Sequence, residues 1–166
     1  MDEQTPQKPI NPYGHSKLVF EQILTWYAHV HGLIPTALRY FNASGASQER
    51  GEHHRIETHL IPNVLLTALG QREVVDVFGE SHATPDGTCI RDYIHVKDLA
   101  SAHILALDRD KPGFFNVGTG NGYSVKQVIE TAKKVTQRPI PTRGQPARAG
   151  DPCLLYTSDA ADEEDS

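Results

Sequence analysis

The chain has 166 residues, 38% of them hydrophobic, which is enough for a single domain with a core. Its net charge of −5 comes from the carboxyl terminus, because five acidic residues lie in the last eight positions and the rest of the chain balances 16 basic against 16 acidic residues. This balance excludes a basic nucleic-acid-binding surface, and two cysteines exclude a disulfide framework. No apolar run reaches membrane-spanning length, so the composition predicts a soluble protein of a reducing, cytoplasmic compartment.

The first predicted helix follows a polar, proline-rich segment. Asn11 is suited to cap the helix, Pro12 to occupy its first turn, and Gly32 to end it after about His31. Its apolar residues suggest a stripe that faces a core, consisting of Leu18, Ile23, Leu24 and Tyr27.

Tyr13 and Lys17 lie four residues apart at the start of this helix, so their side chains share one face. A nearby cation favours the phenolate form of a tyrosine, which could then act as a general base. The alternative is that both residues are simply solvated at a helix end. Tyr93 and Lys97 have the same spacing, but their context predicts a strand followed by a helix, and across that junction the two side chains need not meet.

Strands and helices alternate along the rest of the chain, which predicts an α/β architecture with a parallel sheet. The final helix is expected to begin at Ser124, where Ser124 and Gln127 fit a capping box, and to end before Pro139. The other predicted elements are strand 34–41, helix 58–69, strands 74–78 and 89–96, helix 97–107 and strand 114–117.

Two further patterns resemble a metal site and a phosphate loop, but neither site is predicted. His53 and His54 lie in a polar loop, but neighbouring loop side chains rarely share an ion and no partners recur at ligand spacing, so no metal site is predicted. The glycine-rich segment 118–122 has the context of a phosphate loop but lacks the corresponding lysine and the full glycine pattern, which favours a tight turn.

Three ordered blocks resemble the UDP-glucose 4-epimerases, which are extended short-chain dehydrogenase/reductases. The blocks are Tyr-Gly-His-Ser-Lys at 13–17, Arg-Tyr-Phe-Asn-Ala-Ser-Gly-Ala at 39–46, and the segment 86–100 that begins Asp-Gly-Thr-Cys-Ile-Arg-Asp-Tyr. The resemblance covers about residues 2–152. It implies the C-terminal part of a Rossmann-like parallel sheet, interleaved with a small nucleotide-sugar-binding α/β domain.

The resemblance also implies a division of the chain. Residues 1–57 would complete an NAD-binding Rossmann domain, and residues 58–152 would form mainly the UDP-sugar-binding domain, with 89–107 returning to the Rossmann part. The glycine-rich dinucleotide loop and a catalytic Ser or Thr would lie upstream, so the chain is expected to be an N-terminally truncated and inactive fragment.

The family's chemistry can be carried over to matching residues. Tyr13 would be the base for the sugar 4-hydroxyl while NAD takes the C4 hydride, forming a transient 4-keto sugar, and Lys17 would hold the nicotinamide ribose and favour the phenolate. Phe41 would also contact NAD. The implied partners are UDP-glucose or UDP-galactose and, in the full-length protein, a second identical subunit.

The resemblance assigns a set of substrate-binding positions. Among them, Arg91 and Arg148 have the best physical case, because guanidinium groups suit an anchored diphosphate, although surface ion pairs are the alternative. The full set is Asn42, His59, Leu60, Asp76, Val77, Phe78, Arg91, Arg148 and Asp151.

Two alternative functions and an unusual carboxyl-terminal segment have to be considered as well. A nucleotide-sugar dehydratase or decarboxylase would share Tyr-x-x-x-Lys, but the Asn-Ala-Ser-Gly-Ala segment at 42–46 favours the epimerase. The second alternative is a non-catalytic fragment that at most binds UDP or a partner subunit. Residues 153–166 depart from the family and resemble translated sequencing adapter, so they are expected to have no evolved role.

Overall fold

The computed structural model describes residues 2–155, which contain four helices and nine short strands. The helices are α1 Pro12–His31, α2 Leu60–Ala68, α3 Val96–Leu107 and α4 Val125–Thr136. The strands are β1 Thr36–Tyr40, β2 Asn42–Ser44, β3 Val75–Phe78, β4 Ile90–Arg91, β5 Tyr93–His95, β6 Gly113–Val117, β7 Tyr123–Ser124, β8 Thr142–Gln145 and β9 Leu154–Leu155. Within residues 2–155, no helix combines the length and the apolar character that crossing a membrane requires.

Most strand pairs are parallel, as the alternating pattern predicts, but they form four small sheets rather than one. β1 pairs with β6, β2 with β5, β3 with β8 and β4 with β9 in parallel, and β7 pairs with β4 antiparallel. The short strand predicted within 34–41 is β1, whereas the predicted strand 89–96 is divided at Asp92 into β4 and β5. At Asp92 the backbone changes partners, because its amide donates to the Leu155 carbonyl of β9 at 3.1 Å and its carbonyl accepts from the Asn42 amide of β2 at 3.0 Å.

Local signals at the helix ends are confirmed. The Asn11 side chain accepts a hydrogen bond from the Gly14 amide, Pro12 occupies the first turn of α1, and Gly32 adopts the left-handed conformation that ends it. At α4, the Ser124 side chain accepts from the Gln127 amide while the Gln127 side chain accepts from the Ser124 amide, a complete capping box.

The predicted apolar stripe of α1 is wrong in half its members. Leu18 and Leu24 are half-buried, but Ile23 and Tyr27 are exposed, and α1 has no fully buried residue. Glu21 connects the helix to β1, because its carboxylate accepts two hydrogen bonds from the Arg39 guanidinium at 2.7 and 2.6 Å. This ion pair holds the pKa of Glu21 below its usual range.

The main buried cluster lies elsewhere, where α2 and α4 pack against β3. It consists of Val64, Val75, Val77, Ile129 and Ile140. All five side chains are at most 4% exposed, so this region has the packing that α1 lacks.

The start of the unusual tail takes part in the fold. Leu154 and Leu155 form β9, which pairs in parallel with Ile90 and Arg91. The Ile90 amide donates to the Cys153 carbonyl at 2.9 Å. Residues 156–166 lie outside the described part of the chain, so the proposed adapter origin of 153–166 stays a prediction.

Candidate functional site

Tyr13 and Lys17 lie together on one exposed face of α1. The Lys17 Nζ atom lies 5.1 Å from the centroid of the Tyr13 ring, and Tyr13 is 72% exposed. Among residues 2–155, neither the phenol hydroxyl nor the ammonium is engaged in a hydrogen bond or ion pair. The two groups are therefore adjacent and available to a ligand, which fits a cofactor ribose and a sugar hydroxyl.

The start of α1 is hydrogen-bonded to the loop that precedes β9. The Asn11 side chain donates to the Gly150 carbonyl at 3.1 Å while its oxygen caps the helix. Gly150 precedes Asp151, which lines a large cavity. One asparagine thus fixes the position of the Tyr13 turn relative to the rim of that cavity.

The cavity has a volume of about 970 Å³, at the upper end of the roughly 300–1,000 Å³ usual for small-molecule sites. Of the residues that the resemblance assigns to the substrate, all except Val77 line it, although they come from distant parts of the chain. Val77 instead belongs to the buried cluster under α2 and α4. Tyr13, Lys17 and Phe41 are not among the lining residues.

Both predicted arginines line this cavity and each already has a partner. The Arg91 guanidinium donates to the Asp151 carboxylate at 2.5 Å, so the ion pair that was the alternative for Arg91 does form. Arg148 lies over the Phe78 ring, with its guanidinium carbon 3.8 Å from the ring centroid. An aromatic face and two guanidinium groups on one wall suit a base with an attached diphosphate.

Asp76 has a different environment from its neighbours in the cavity wall. Its carboxylate accepts hydrogen bonds from Gln145 and Arg143 of β8, at 2.9 and 2.8 Å, and from Arg72 at 3.1 Å. These bonds, led by those from Gln145 and Arg143, lower its pKa. The side chain therefore joins β3 to β8 and positions Phe78 two residues further along the strand.

Asn42 and Phe41 lie at the break between β1 and β2. Asn42 lines the cavity, and its buried Oδ1 atom has no hydrogen-bond partner among the described residues. A buried polar atom without a partner is uncommon, so a donor supplied by a ligand would stabilise this position. Phe41 is half-buried beside it.

Gly45 lies in the second of the three family-like sequence blocks, 39–46, and the structure shows why a glycine stands there. Its φ angle is +85°, and a Cβ atom there would lie 2.3 Å from the His95 ring. Only glycine allows the loop after β2 to pass this close to β5. The loop from Gly45 forms one wall of the cavity, so the Asn-Ala-Ser-Gly pattern has a structural reason.

The Asp-Gly-Thr block is a buried turn. The Asp86 carboxylate accepts hydrogen bonds from the Thr88 amide and hydroxyl and from the Ser124 hydroxyl. Burial opposes its ionisation, but the bonds from Ser124 and Thr88 prevail and lower the pKa of Asp86. Thr88 is fully buried. This block therefore holds the start of α4 against the chain segment leading to β4.

Asp92 is a structural residue that the sequence did not single out for this role. It is fully buried, and its carboxylate accepts hydrogen bonds from the Thr119 amide and hydroxyl and from the Gly120 amide. The amides of the glycine-rich segment 118–122 thus bind a carboxylate of the chain itself. This contact supports the prediction that the segment is a turn rather than a phosphate loop.

Tyr93 is half-buried and lines the cavity. It belongs to β5 while Lys97 belongs to α3, as predicted for this second Tyr-x-x-x-Lys pair. Burial raises the pKa of Tyr93 to about 12. A phenol in this environment keeps its proton, which makes it a poor general base at neutral pH.

Comparison with known proteins identifies close relatives of the whole described region. Residues 1–118 match the NAD dependent epimerase/dehydratase family. The chain is 51% identical over 159 residues to a UDP-glucose 4-epimerase of Corynebacterium glutamicum and 50% identical over 164 residues to one of Halalkalibacterium halodurans. These alignments cover 94% and 95% of this chain, but 48% and 49% of the relatives.

Solved structures are similar over the same extent. The UDP-glucose 4-epimerase of Bifidobacterium longum, in complex with NAD⁺ and UDP, is 43% identical with a TM-score of 0.89, and the Brucella ovis enzyme in complex with NAD is 48% identical with a TM-score of 0.86. Each comparison covers 97% of this chain and about half of the other. The fold is therefore the Rossmann-like α/β fold of these proteins, and the chain spans about half the length of the curated relatives it matches.

Proposed function

The chain belongs to the NAD dependent epimerase/dehydratase family, and from that premise we propose that it supplies the proton-transfer pair and the substrate pocket of an NAD-dependent UDP-glucose 4-epimerase. The observation that carries the proposal is the common cavity, because residues matched to substrate contacts come together there from separate segments. The names of the relatives support the reaction, and the NAD⁺ and UDP of the Bifidobacterium longum structure support the ligands.

The proton transfer belongs to Tyr13 and Lys17. NAD, when bound, accepts and returns the hydride at the sugar C4. In its deprotonated form, the Tyr13 phenolic oxygen would take the proton of the sugar 4-hydroxyl as the C4–H bond breaks, and the resulting hydroxyl would return that proton as the bond forms again on the opposite face. The Lys17 ammonium, 5.1 Å from the ring centroid, would hold the nicotinamide ribose beside Tyr13. Phe41 borders the same cofactor site.

The cavity holds the nucleotide diphosphate while the sugar turns. Arg91 and Arg148 offer guanidinium groups for the diphosphate, and Phe78, on whose ring Arg148 is stacked, borders the same cavity. Arg91 would exchange part of its bond with Asp151 for one to phosphate. Asn42, with its unfilled acceptor, and the His59–Leu60 segment border the same cavity.

The proposal includes assembly of the whole protein as a homodimer through α1. This helix exposes several large apolar side chains and has no buried residue, which supports a role in burying them against protein. The exposed residues are Phe20, Ile23, Trp26, Tyr27 and Val30.

Two measurements test the function. UDP binding to the chain alone, measured by calorimetry, tests the cavity, and Arg148→Ala should weaken that binding by about tenfold or more, since one charge-assisted contact is lost. A fusion in which this chain replaces the matching half of the Corynebacterium glutamicum relative tests the reaction. It should interconvert UDP-galactose and UDP-glucose.

The alternatives have distinct outcomes in the fusion. Formation of a dehydrated or decarboxylated sugar would support the sibling enzymes instead. UDP binding without any turnover in a folded fusion would favour the non-catalytic reading, and a folded chain that does not bind UDP would contradict the proposed pocket.

A further inference from the structure

A cluster of metal-ligating side chains lies in the loop between β2 and α2. One ligand atom each from Glu52, His54 and His59 lie within 4.8 Å of one another, and all three side chains are exposed. The linear sequence gives no hint of this, because the three residues are spaced by two and five positions. The fold of the loop brings them together beside the cavity, whose lining includes Glu52 and His59.

Glu57 lies against both imidazole rings and is placed to orient that of His59. Its carboxylate accepts a hydrogen bond from the His59 amide at 2.7 Å and lies 2.8 Å from His59 Nδ1 and 3.7 Å from His54 Nδ1. A carboxylate on one ring nitrogen fixes the orientation of a histidine and strengthens it as a ligand.

The ligand types select the metal. Two imidazoles and a carboxylate suit Zn²⁺, whereas Ca²⁺ and Mg²⁺ prefer oxygen ligands alone. Zinc bonds of about 2.0–2.2 Å in a tetrahedron place ligand atoms roughly 3.4 Å apart, so the separations of up to 4.8 Å have to shorten by as much as about 1.4 Å. Exposed side chains on a loop can make that change by small rotations, and Glu52 already lies 3.3 Å from His54 Nδ1.

We propose that Glu52, His54 and His59 bind one Zn²⁺ ion at the rim of the cavity, with Glu57 as the orienting carboxylate and water as the fourth ligand. The proposal does not require the epimerase reaction, but it shares His59 with the proposed nucleotide pocket. A bound ion would engage the His59 ring at the cavity and would add positive charge there. Zinc and a nucleotide diphosphate would therefore influence each other's binding.

Calorimetric titration of ZnCl₂ into the 166-residue chain, with its thiols kept reduced, tests the site. We expect one ion per chain, and we expect His54→Gln to weaken binding at least tenfold, because a ligand is lost. Glu57→Gln should weaken it by about tenfold through the orientation of the rings. His53→Gln is the matched control, since His53 is an exposed neighbour outside the cluster, and it should change the affinity by less than about twofold.

Several results would overturn the proposal. They are the absence of zinc binding, equal effects of His53→Gln and His54→Gln, and binding that survives His54→Gln but disappears when the thiols of Cys89 and Cys153 are alkylated. Circular dichroism of each variant should match that of the parent chain, since His53 and His54 are exposed and their replacement leaves the core intact.

Discussion

Two tyrosines in this chain are each followed four residues later by a lysine, and the fold gives them opposite environments. Tyr13 is exposed on α1 with the Lys17 ammonium beside its ring, whereas Tyr93 is mostly buried on β5 and Lys97 belongs to the following helix. Burial raises the pKa of Tyr93 to about 12. The comparison teaches that the spacing acquires chemical meaning only on a continuous helix, where both side chains share a face.

The two tyrosines also differ in position, because Tyr93 lines the large cavity and Tyr13 does not. Proximity to a cavity and suitability as a base therefore point to different residues. The proposed mechanism relies on the exposed pair, which a bound cofactor would cover. The following predictions separate the two regions.

The largest effect is expected from Tyr13→Phe in the fusion with the Corynebacterium glutamicum relative. Loss of the proton acceptor should lower turnover by about two to four orders of magnitude, while the affinity for UDP stays within about twofold. Steady-state rates and calorimetry measure the two quantities. Turnover close to that of the parent fusion would remove Tyr13 from the mechanism.

On the buried side, Asp92→Asn should destabilise the chain by about 2–4 kcal/mol. The substitution removes a buried carboxylate that accepts hydrogen bonds from Thr119 and Gly120, and it introduces an amide donor facing other donors. Urea unfolding measures the change. Asp98→Asn is the matched control on the exposed first turn of α3 and should cost about 0.5 kcal/mol. Equal costs would contradict the structural role of Asp92.

Lys17→Met should have an intermediate effect in the fusion. Without the ammonium, the cofactor ribose loses a charged partner, so NAD retention should fall about tenfold. Lys97→Met, at the second pair, should leave NAD retention unchanged. Full cofactor occupancy in Lys17→Met would contradict its assignment.

The smallest effect is expected where α1 is attached to β1. Glu21→Gln should cost about 1 kcal/mol at pH 7, because it removes a partly buried pair with Arg39. The pKa of Glu21 is lower in the folded chain than in the unfolded one, so this contribution is present above the unfolded value of about 4.3 and is lost as pH falls through the folded value.

Urea unfolding at pH 7 and at pH 3 checks this dependence, since the gap between parent and variant should narrow at the lower pH. Glu130→Gln is the matched control, because its pair with Lys133 is exposed on α4 and should contribute nothing measurable. A gap that widens at pH 3 would contradict the sign given for Glu21.

Sequence patterns predicted the features whose causes are local. The cap at Asn11, the end of α1 at Gly32 and the capping box at Ser124 each depend on residues within one turn, and each is confirmed. The division of the strand at Asp92 occurs where the backbone changes from β9 to β2, two segments distant in the chain. Such pairing has no local signature, which is why 89–96 was predicted as one strand. The exposure of Ile23 and Tyr27 on α1 likewise depends on tertiary contacts rather than on local sequence.

The candidate site also has one part that local sequence predicts and another that it does not. Helical spacing alone places Tyr13 beside Lys17. The cavity, in contrast, is lined by segments that are distant in the sequence, and among sequence observations only the family resemblance connected them. The cluster of Glu52, His54 and His59 had no sequence signal, because a loop without regular structure sets its geometry. The roles assigned to the individual residues, and the division into 1–57 and 58–152, stay predictions.

The most direct test of the central claim is the epimerase rate of two fusions measured side by side, one carrying Tyr13→Phe and the other Tyr93→Phe. The account predicts that turnover falls by at least about a hundredfold in the first and by less than about threefold in the second, because only Tyr13 exchanges a proton with the sugar. A large loss in Tyr93→Phe with near-normal turnover in Tyr13→Phe would contradict it and would assign the chemistry to the buried tyrosine.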